Sequence, residues 1–164
     1  MSLAQTLQSG LVHEPIKPLI GSRVLNSKQE LLGGKLASEL RELLELRGVL
    51  VFPKVDFSDD EQIAFTKTLG TFQPERTGDN VFKVTLDEKI NVHSAEYLKG
   101  SAYWHIDGTM NPSPILASLL ASKKLASWGG NTGFCNTYAA YDQLPPERKA
   151  ELEGLRVVHG AWAS

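Results

Sequence analysis

Apolar residues recur at helical spacing in two stretches of the first half of the chain. In residues 36–47, leucines recur every three or four positions, and Gly48 follows, a residue that commonly ends a helix. A second amphipathic stretch begins at the capping-box sequence 58–61 and continues to Gly70. The continuous apolar run 49–52 lies between them. The pattern predicts two helices separated by a buried strand.

Other segments predict shorter elements. A capping box at 27–30 predicts a helical start that the glycine pair after it interrupts, and the proline pair at 145–146 predicts a helix through Leu152. Alternation or short apolar runs predict further strands at 16–25, 81–86, around His105, 115–122, 133–138 and 155–159. Residues 1–15 lack periodicity, which predicts a loose leader before a single domain over 16–164. Strands flanked by helices fit a double-stranded β-helix or an α+β sandwich, and the pattern alone leaves both open.

Composition narrows the class of protein. A chain of 164 residues with 41% hydrophobic and 22% charged residues is typical of one soluble globular domain. A net charge of −2 gives no electrostatic footprint for nucleic acid or an anionic membrane, and no apolar run has the length of a membrane span. Cys135 is the single cysteine, so no internal disulfide forms, and we expect a cytoplasmic location.

The candidate chemistry is concentrated around His105 and Asp107. On an extended strand, residues two apart point the same way. An imidazole and a carboxylate are two of the three ligands in the facial triad that binds iron(II). A histidine and an aspartate at this spacing are weak evidence alone, because His105 could be a core histidine and Asp107 could cap a turn at Gly108. Tyr103 would share the face of His105, and His93 is close enough in sequence to face the same pocket; both are candidate substrate-pocket residues.

The context of this pair carries a resemblance to a known family. The run WHID at 104–107, followed by GGNT at 129–132 and AYDQLP at 140–145, resembles the taurine dioxygenase (TauD/TfdA) superfamily of iron(II)/2-oxoglutarate-dependent dioxygenases. The resemblance implies that His105 and Asp107 ligate iron(II) and that Thr132 hydrogen-bonds the cosubstrate 2-oxoglutarate. It also implies a mostly β fold with flanking helices, the double-stranded β-helix or jelly roll.

The same resemblance implies an activity. A family member would use molecular oxygen to hydroxylate a C–H bond of a small organic, acidic substrate while 2-oxoglutarate is decarboxylated to succinate. Taurine itself is disfavoured, because residues 70–76 lack the histidine and tyrosine that would hold its sulfonate. We expect no nucleic-acid or membrane partner and leave a homo-oligomer open. Two alternatives remain: a non-catalytic jelly-roll binding module, and a cupin-type non-redox metal enzyme, in which GGNT would have no role.

Two residues that the resemblance implies have no match in this chain. They are the second histidine ligand and the arginine that pairs with the distal carboxylate of 2-oxoglutarate. His159 and Arg156 lie in a stretch that matches a different part of the family, directly after the 145–152 helix. We therefore expect a jelly roll that is incomplete at its C-terminal end, either a fragment or a chain whose missing surface a partner covers. We also expect the 164 residues alone to be inactive.

Overall fold

A computed structural model describes residues 10–74, 80–85, 103–109 and 111–158, together with positions 87, 89 and 90 and the backbone of 5–6. The chain divides into two compact units. The first comprises Met1–Phe72 and Ala121–Glu153, and the second comprises Gln73–Leu120 and Gly154–Ser164. None of the helices within the described ranges is long and apolar enough to cross a membrane.

The first unit contains a small mixed sheet. Its strands are β1 (Gln5–Thr6), β2 (Val12–Pro15), β3 (Ser22–Val24) and β4 (Leu50–Val51), and they lie side by side in that order. The pairs β1–β2 and β2–β3 are antiparallel, whereas β3 and β4 are parallel. Along β3 the two end residues are buried and the middle one is exposed, which is the alternation expected of a sheet with one face against the core.

The beginning of the chain is more ordered than its sequence suggests. Leu11 is fully buried, and β2 pairs with strands on both sides. The prediction of a loose leader through residue 15 is therefore wrong for residues 11–15. Burying a leucine contributes about 2 kcal/mol, which a short segment without visible periodicity can gain by adding a strand to an existing sheet.

Asn26 joins this segment to the turn after β3. Its side chain is buried; the carboxamide oxygen accepts a hydrogen bond from the Val12 N–H at 2.8 Å, and the amide nitrogen donates to the Gly10 carbonyl at 3.0 Å. An Asn26→Ala substitution should lower the free energy of unfolding by about 2 kcal/mol, because it leaves two backbone groups without partners. Asn26→Asp keeps the acceptor for the Val12 N–H but turns a charged oxygen towards the Gly10 carbonyl and the Glu30 carboxylate, so it should cost at least as much. Urea unfolding followed by circular dichroism would measure both, and an unchanged free energy of unfolding in Asn26→Ala would contradict this assignment.

The described residues contain five helices. They are α1 (Lys28–Leu32), α2 (Ala37–Arg47), α3 (Asp59–Leu69), α4 (Thr137–Asp142) and α5 (Pro146–Leu152). Four of them match predicted segments and one, α4, was not predicted. Both predicted capping boxes are confirmed, one at the start of α1 and one at the start of α3. Gly48 ends α2 in the left-handed conformation at φ 69°, as its position predicts.

The hydrophobic core of the described residues lies in the first unit. Helix α3 packs against α1 and α2, and Phe65 on α3 makes ring contacts with Phe52 and Phe57 at centroid distances of 5.5 and 5.3 Å. The buried apolar side chains are Leu11, Val24, Leu31, Leu36, Leu40, Leu43 and Phe65. These residues include the helical stripe that the leucine spacing predicted.

The later strands were predicted wrongly. The described parts of the segments 81–86, 103–109, 115–122, 133–138 and 155–159 contain no strand, and residues 137–138 begin α4. The run 49–52 is reduced to β4, in which Val51 is 40% exposed. An apolar run becomes a strand only where a neighbouring strand pairs with its backbone groups. The composition of the run does not indicate whether such a neighbour exists. In the described part of the chain the fold is a small mixed sheet with helices, and the jelly roll stays a prediction.

His13 makes the stability of this sheet dependent on pH. Burial, and then the positive charge of Arg47, hold the pKa of His13 below its ordinary value of 6.5. The unfolded chain therefore takes up a proton at a higher pH than the folded chain, and stability should fall as the pH drops below about 6.5. A His13→Gln variant should lose this dependence in that interval. Hydrogen bonds from Ser27 and Lys28 lower the pKa values of Glu30 and Glu61, respectively. These two carboxylates therefore change the stability only below about pH 4.5. If the free energies of unfolding of the wild type and of His13→Gln fell in parallel as the pH drops, His13 would not be the source of the dependence.

Candidate metal and cosubstrate site

His105 and Asp107 converge in the second unit. The His105 Nε2 atom lies 3.5 Å from Asp107 Oδ1, and about half of each side chain is exposed. The prediction that the two side chains point the same way is confirmed, but the strand invoked for it is absent. Residues 104–106 have no regular secondary structure, and residues 107–109 form a turn. The turn brings the carboxylate back towards the imidazole.

Gly108 makes this turn possible. Its φ is +68°, in the left-handed region, and the Asn111 N–H donates a hydrogen bond to its carbonyl at 3.0 Å. A Cβ atom at this position would lie only 2.7 Å from Cδ1 and 2.8 Å from Cγ1 of Ile115. Glycine is thus required both by the backbone conformation and by the close packing of Ile115.

A Gly108→Ala substitution should disturb the site through both effects. The left-handed backbone costs about 1–2 kcal/mol for a residue with a Cβ, and overpacking against Ile115 costs about a further 1–3 kcal/mol. We expect weaker binding of Co(II), used as a spectroscopic probe for iron(II), by at least tenfold, in the full-length protein. Gly48→Ala is the matched control, because Gly48 has φ +69° and nothing lies within 4 Å of its added Cβ. Equal Co(II) affinity in the two variants would contradict this role.

The imidazole of His105 is held by the backbone before it. Its Nδ1 atom lies 2.7 Å from the Tyr103 carbonyl oxygen. A carbonyl only accepts hydrogen bonds, so Nδ1 is the donor in this contact, and Nε2 is the ring nitrogen left to bind a metal. Nε2 faces a carboxylate oxygen of Asp107, so the two atoms are placed as a pair of potential metal ligands.

These residues fit the metal that the resemblance implies. A neutral imidazole and a carboxylate supply two ligands of the iron(II) facial triad, in which neighbouring ligand atoms lie about 3 Å apart. The observed 3.5 Å between Nε2 and Oδ1 is slightly wider. A backbone acceptor on the other ring nitrogen is the usual way in which a metal-binding histidine is oriented. Within the described residues no third His, Cys, Asp or Glu joins the pair.

The predicted cosubstrate residue lies in the first unit. Thr132 is exposed, on the irregular segment between the Gly129–Gly130 pair and α4, and both glycines adopt positive φ. Asn136 ends this segment: its Oδ1 accepts from the Ala139 N–H at 3.0 Å and caps α4, while its Nδ2 donates to the Leu19 carbonyl at 2.7 Å. Two contacts therefore anchor the C-terminal end of the segment that carries Thr132.

The structure describes only one of the two predicted substrate-pocket residues. The Tyr103 side chain is 79% exposed, and its contact with His105 runs through its backbone carbonyl. His93 lies outside the described residues. Neither pocket assignment is tested by these positions, and both stay predictions.

The sequence reasoning missed Ser118. Its hydroxyl donates to Asp107 Oδ2 at 3.3 Å, whereas His105 lies near the other carboxylate oxygen, Oδ1. The segment 115–122 was interpreted only as a strand, so none of its polar residues was considered as a partner for the site. Gly108 in the sequence was the available signal. A turn at this glycine reverses the chain and brings the segment 115–122 back beside Asp107.

Comparison with known proteins places the chain in a family. The family model described as taurine catabolism dioxygenase TauD, TfdA family matches residues 13–164. An alpha-ketoglutarate-dependent 2,4-dichlorophenoxyacetate dioxygenase from Cupriavidus pinatubonensis is 32% identical over 171 residues, covering 94% of this chain and 60% of that protein. An (S)-phenoxypropionate/alpha-ketoglutarate-dioxygenase from Sphingobium herbicidovorans is 33% identical, covering 68% of this chain and 40% of that protein.

A more distant relative has a different kind of name. A pentalenolactone F synthase from Streptomyces avermitilis is 30% identical over 135 residues, covering 74% of this chain and 43% of that protein. The chain thus spans 60% or less of the length of these relatives. No solved structure shows a significant match. The family match covers nearly the whole chain and contains the His105–Asp107 pair, so the chain belongs to the taurine catabolism dioxygenase TauD, TfdA family.

Proposed function

We propose that this protein is an iron(II)/2-oxoglutarate-dependent dioxygenase that hydroxylates a C–H bond of a small organic acid. The observation that carries the proposal is the convergence of His105 Nε2 and Asp107 Oδ1 at 3.5 Å, with Nδ1 held by the Tyr103 carbonyl, in a chain of this family. Iron(II), when bound by these two side chains and a third ligand, supplies oxygen activation coupled to the decarboxylation of 2-oxoglutarate to succinate.

The protein's own residues have separate tasks in this scheme. The Tyr103 carbonyl keeps the proton on Nδ1, so that Nε2 of His105 stays available as a ligand. The turn at Gly108 keeps the Asp107 carboxylate beside that nitrogen. Thr132 is proposed to donate a hydrogen bond to 2-oxoglutarate, and the Asn136 contacts to α4 and to Leu19 restrain its segment.

The names of the relatives favour a carboxylic acid as the substrate. Two relatives that cover 94% and 92% of this chain are both named for 2,4-dichlorophenoxyacetate, and another is named for (S)-phenoxypropionate. These compounds share an aromatic ether joined to a short carboxylate. We therefore propose a small acid of this general kind, with Tyr103 and His93 as candidate pocket residues.

The fold and location remain part of the proposal. We propose that β2 and residues 16–164 together form the N-terminal part of a single double-stranded β-helix domain, which the family match over residues 13–164 supports. We also propose a cytoplasmic location, which the single cysteine among 164 residues supports.

Succinate formation tests the activity directly. The full-length protein would be incubated with iron(II), ascorbate, oxygen and 2-oxoglutarate, with and without a panel of aryloxy and aliphatic carboxylic acids. We expect iron-dependent succinate release that at least one acid stimulates, together with a hydroxylated product of that acid. Absence of succinate with every acid, in a protein that also fails to bind Co(II), would refute the proposal.

A further inference from the structure

The Asp107 carboxylate has two oxygens in different environments. Oδ1 lies 3.5 Å from His105 Nε2, whereas Oδ2 accepts a hydrogen bond from the Ser118 hydroxyl at 3.3 Å. A carboxylate can ligate a metal through one oxygen or through both. A hydroxyl donor on one oxygen lowers the availability of that oxygen and leaves the other as the ligand atom.

The chain brings Ser118 to this place through a defined reversal. The turn at 107–109 is closed by the hydrogen bond from the Asn111 N–H to the Gly108 carbonyl at 3.0 Å. The Ile115 side chain then packs onto the face of Gly108 where any other residue would carry a Cβ. This contact places the following residues beside Asp107, so the same glycine that shapes the turn also admits the segment that carries Ser118.

From this arrangement we propose that Ser118 is a positioning residue for the metal ligand Asp107. Its hydroxyl holds Oδ2 and orients the carboxylate so that Oδ1 alone faces the ligand atom of His105. This inference rests on the proposed function, because it concerns how that metal site is held. Outer contacts to a metal ligand typically change metal affinity by about 10–100-fold when they are removed. The separation of 3.3 Å is long for a hydroxyl–carboxylate bond, so the effect should lie at the lower end of that range.

The test is Co(II) binding by the full-length protein, followed by visible absorption. A Ser118→Ala variant should bind Co(II) about tenfold more weakly. Its absorption bands should also shift, because the released Oδ2 becomes free to ligate together with Oδ1. A Ser118→Thr variant keeps the hydroxyl and should restore both the affinity and the wild-type spectrum. Ser113→Ala is the matched control: Ser113 is exposed in the same segment, and in the described structure Asp107 accepts from Ser118 rather than from Ser113.

The outcomes separate this inference from the function on which it rests. Wild-type protein that binds no Co(II) would overturn the proposed metal site and this inference with it. Wild-type binding with unchanged affinity and spectrum in Ser118→Ala would overturn the role of Ser118 alone and leave the proposed function standing. Equal weakening in Ser118→Ala and Ser118→Thr, without rescue by the hydroxyl, would show a packing effect and would also overturn the positioning role.

Discussion

Replacing Asp107 by alanine should reduce iron-dependent succinate formation by at least a thousandfold while leaving the fold intact. A metal centre contributes several kcal/mol of stabilisation to a transition state, and about 4 kcal/mol corresponds to a thousandfold change in rate. Asp107 supplies the charged ligand of the pair, and its side chain is more than half exposed, so its removal leaves no cavity in the core. The full-length protein would be assayed for succinate, with circular dichroism as the check on folding.

Two further variants locate the origin of the loss. Asp107→Asn keeps the shape of the side chain but removes its charge, and we expect it to be nearly as inactive as the alanine variant. Asp142→Ala removes an exposed carboxylate at the end of α4, outside the site, and should keep activity within about twofold. Full activity in Asp107→Ala would exclude this carboxylate as a ligand, and equal losses in Asp107→Ala and Asp142→Ala would point to a general effect of charge.

The N-terminal helices could be predicted in detail because their signals are local. A capping box involves residues three apart, and a glycine at the end of a helix is required by its own backbone conformation. Ser58 with Glu61, and Gly48 after α2, appear in the structure as the sequence predicts. The leucine stripe of α2 also identified the core residues Leu40 and Leu43 correctly.

The strands could not be predicted in the same way because their stability depends on distant partners. β2 was missed, although Leu11 beside it is fully buried, because its stabilisation comes from pairing with β3 and from Asn26. Conversely, the run 115–122 has strand-like composition and forms no strand. Its apolar residues Ile115, Leu116 and Leu120 are exposed in the structure.

The candidate site shows the same division. Spacing and resemblance found His105 and Asp107, and the structure brings them to 3.5 Å, although through a turn at Gly108 instead of a strand. Ser118 was not found, because its contact with Asp107 depends on the reversal of the chain that Gly108 and Ile115 produce. The residue types thus predicted the chemistry of His105 and Asp107. The neighbouring contact from Ser118 could be found only in the three-dimensional structure.

The largest stability effect is expected at Phe65. A Phe65→Ala substitution should lower the free energy of unfolding by about 3–5 kcal/mol, because it removes a large buried side chain and leaves a cavity. Phe65 is 1% exposed and contacts the rings of Phe52 and Phe57, which lie on either side of the turn between β4 and α3. Since domains of this size are stable by about 5–15 kcal/mol, the variant should lose a large share of its stability. Urea unfolding followed at 222 nm, where α2 and α3 contribute, would measure it.

Two controls distinguish cavity formation from a general effect of losing apolar surface. Phe65→Leu retains most of the buried volume and should cost about 1.5 kcal/mol or less. Leu46→Ala removes an apolar side chain from α2 at a position that is 73% exposed, and should change stability by about 0.5 kcal/mol or less. A loss in Leu46→Ala as large as that in Phe65→Ala would mean that α2 buries its other face in the protein. A small loss in Phe65→Ala would mean that the three phenylalanine rings do not form the centre of the core.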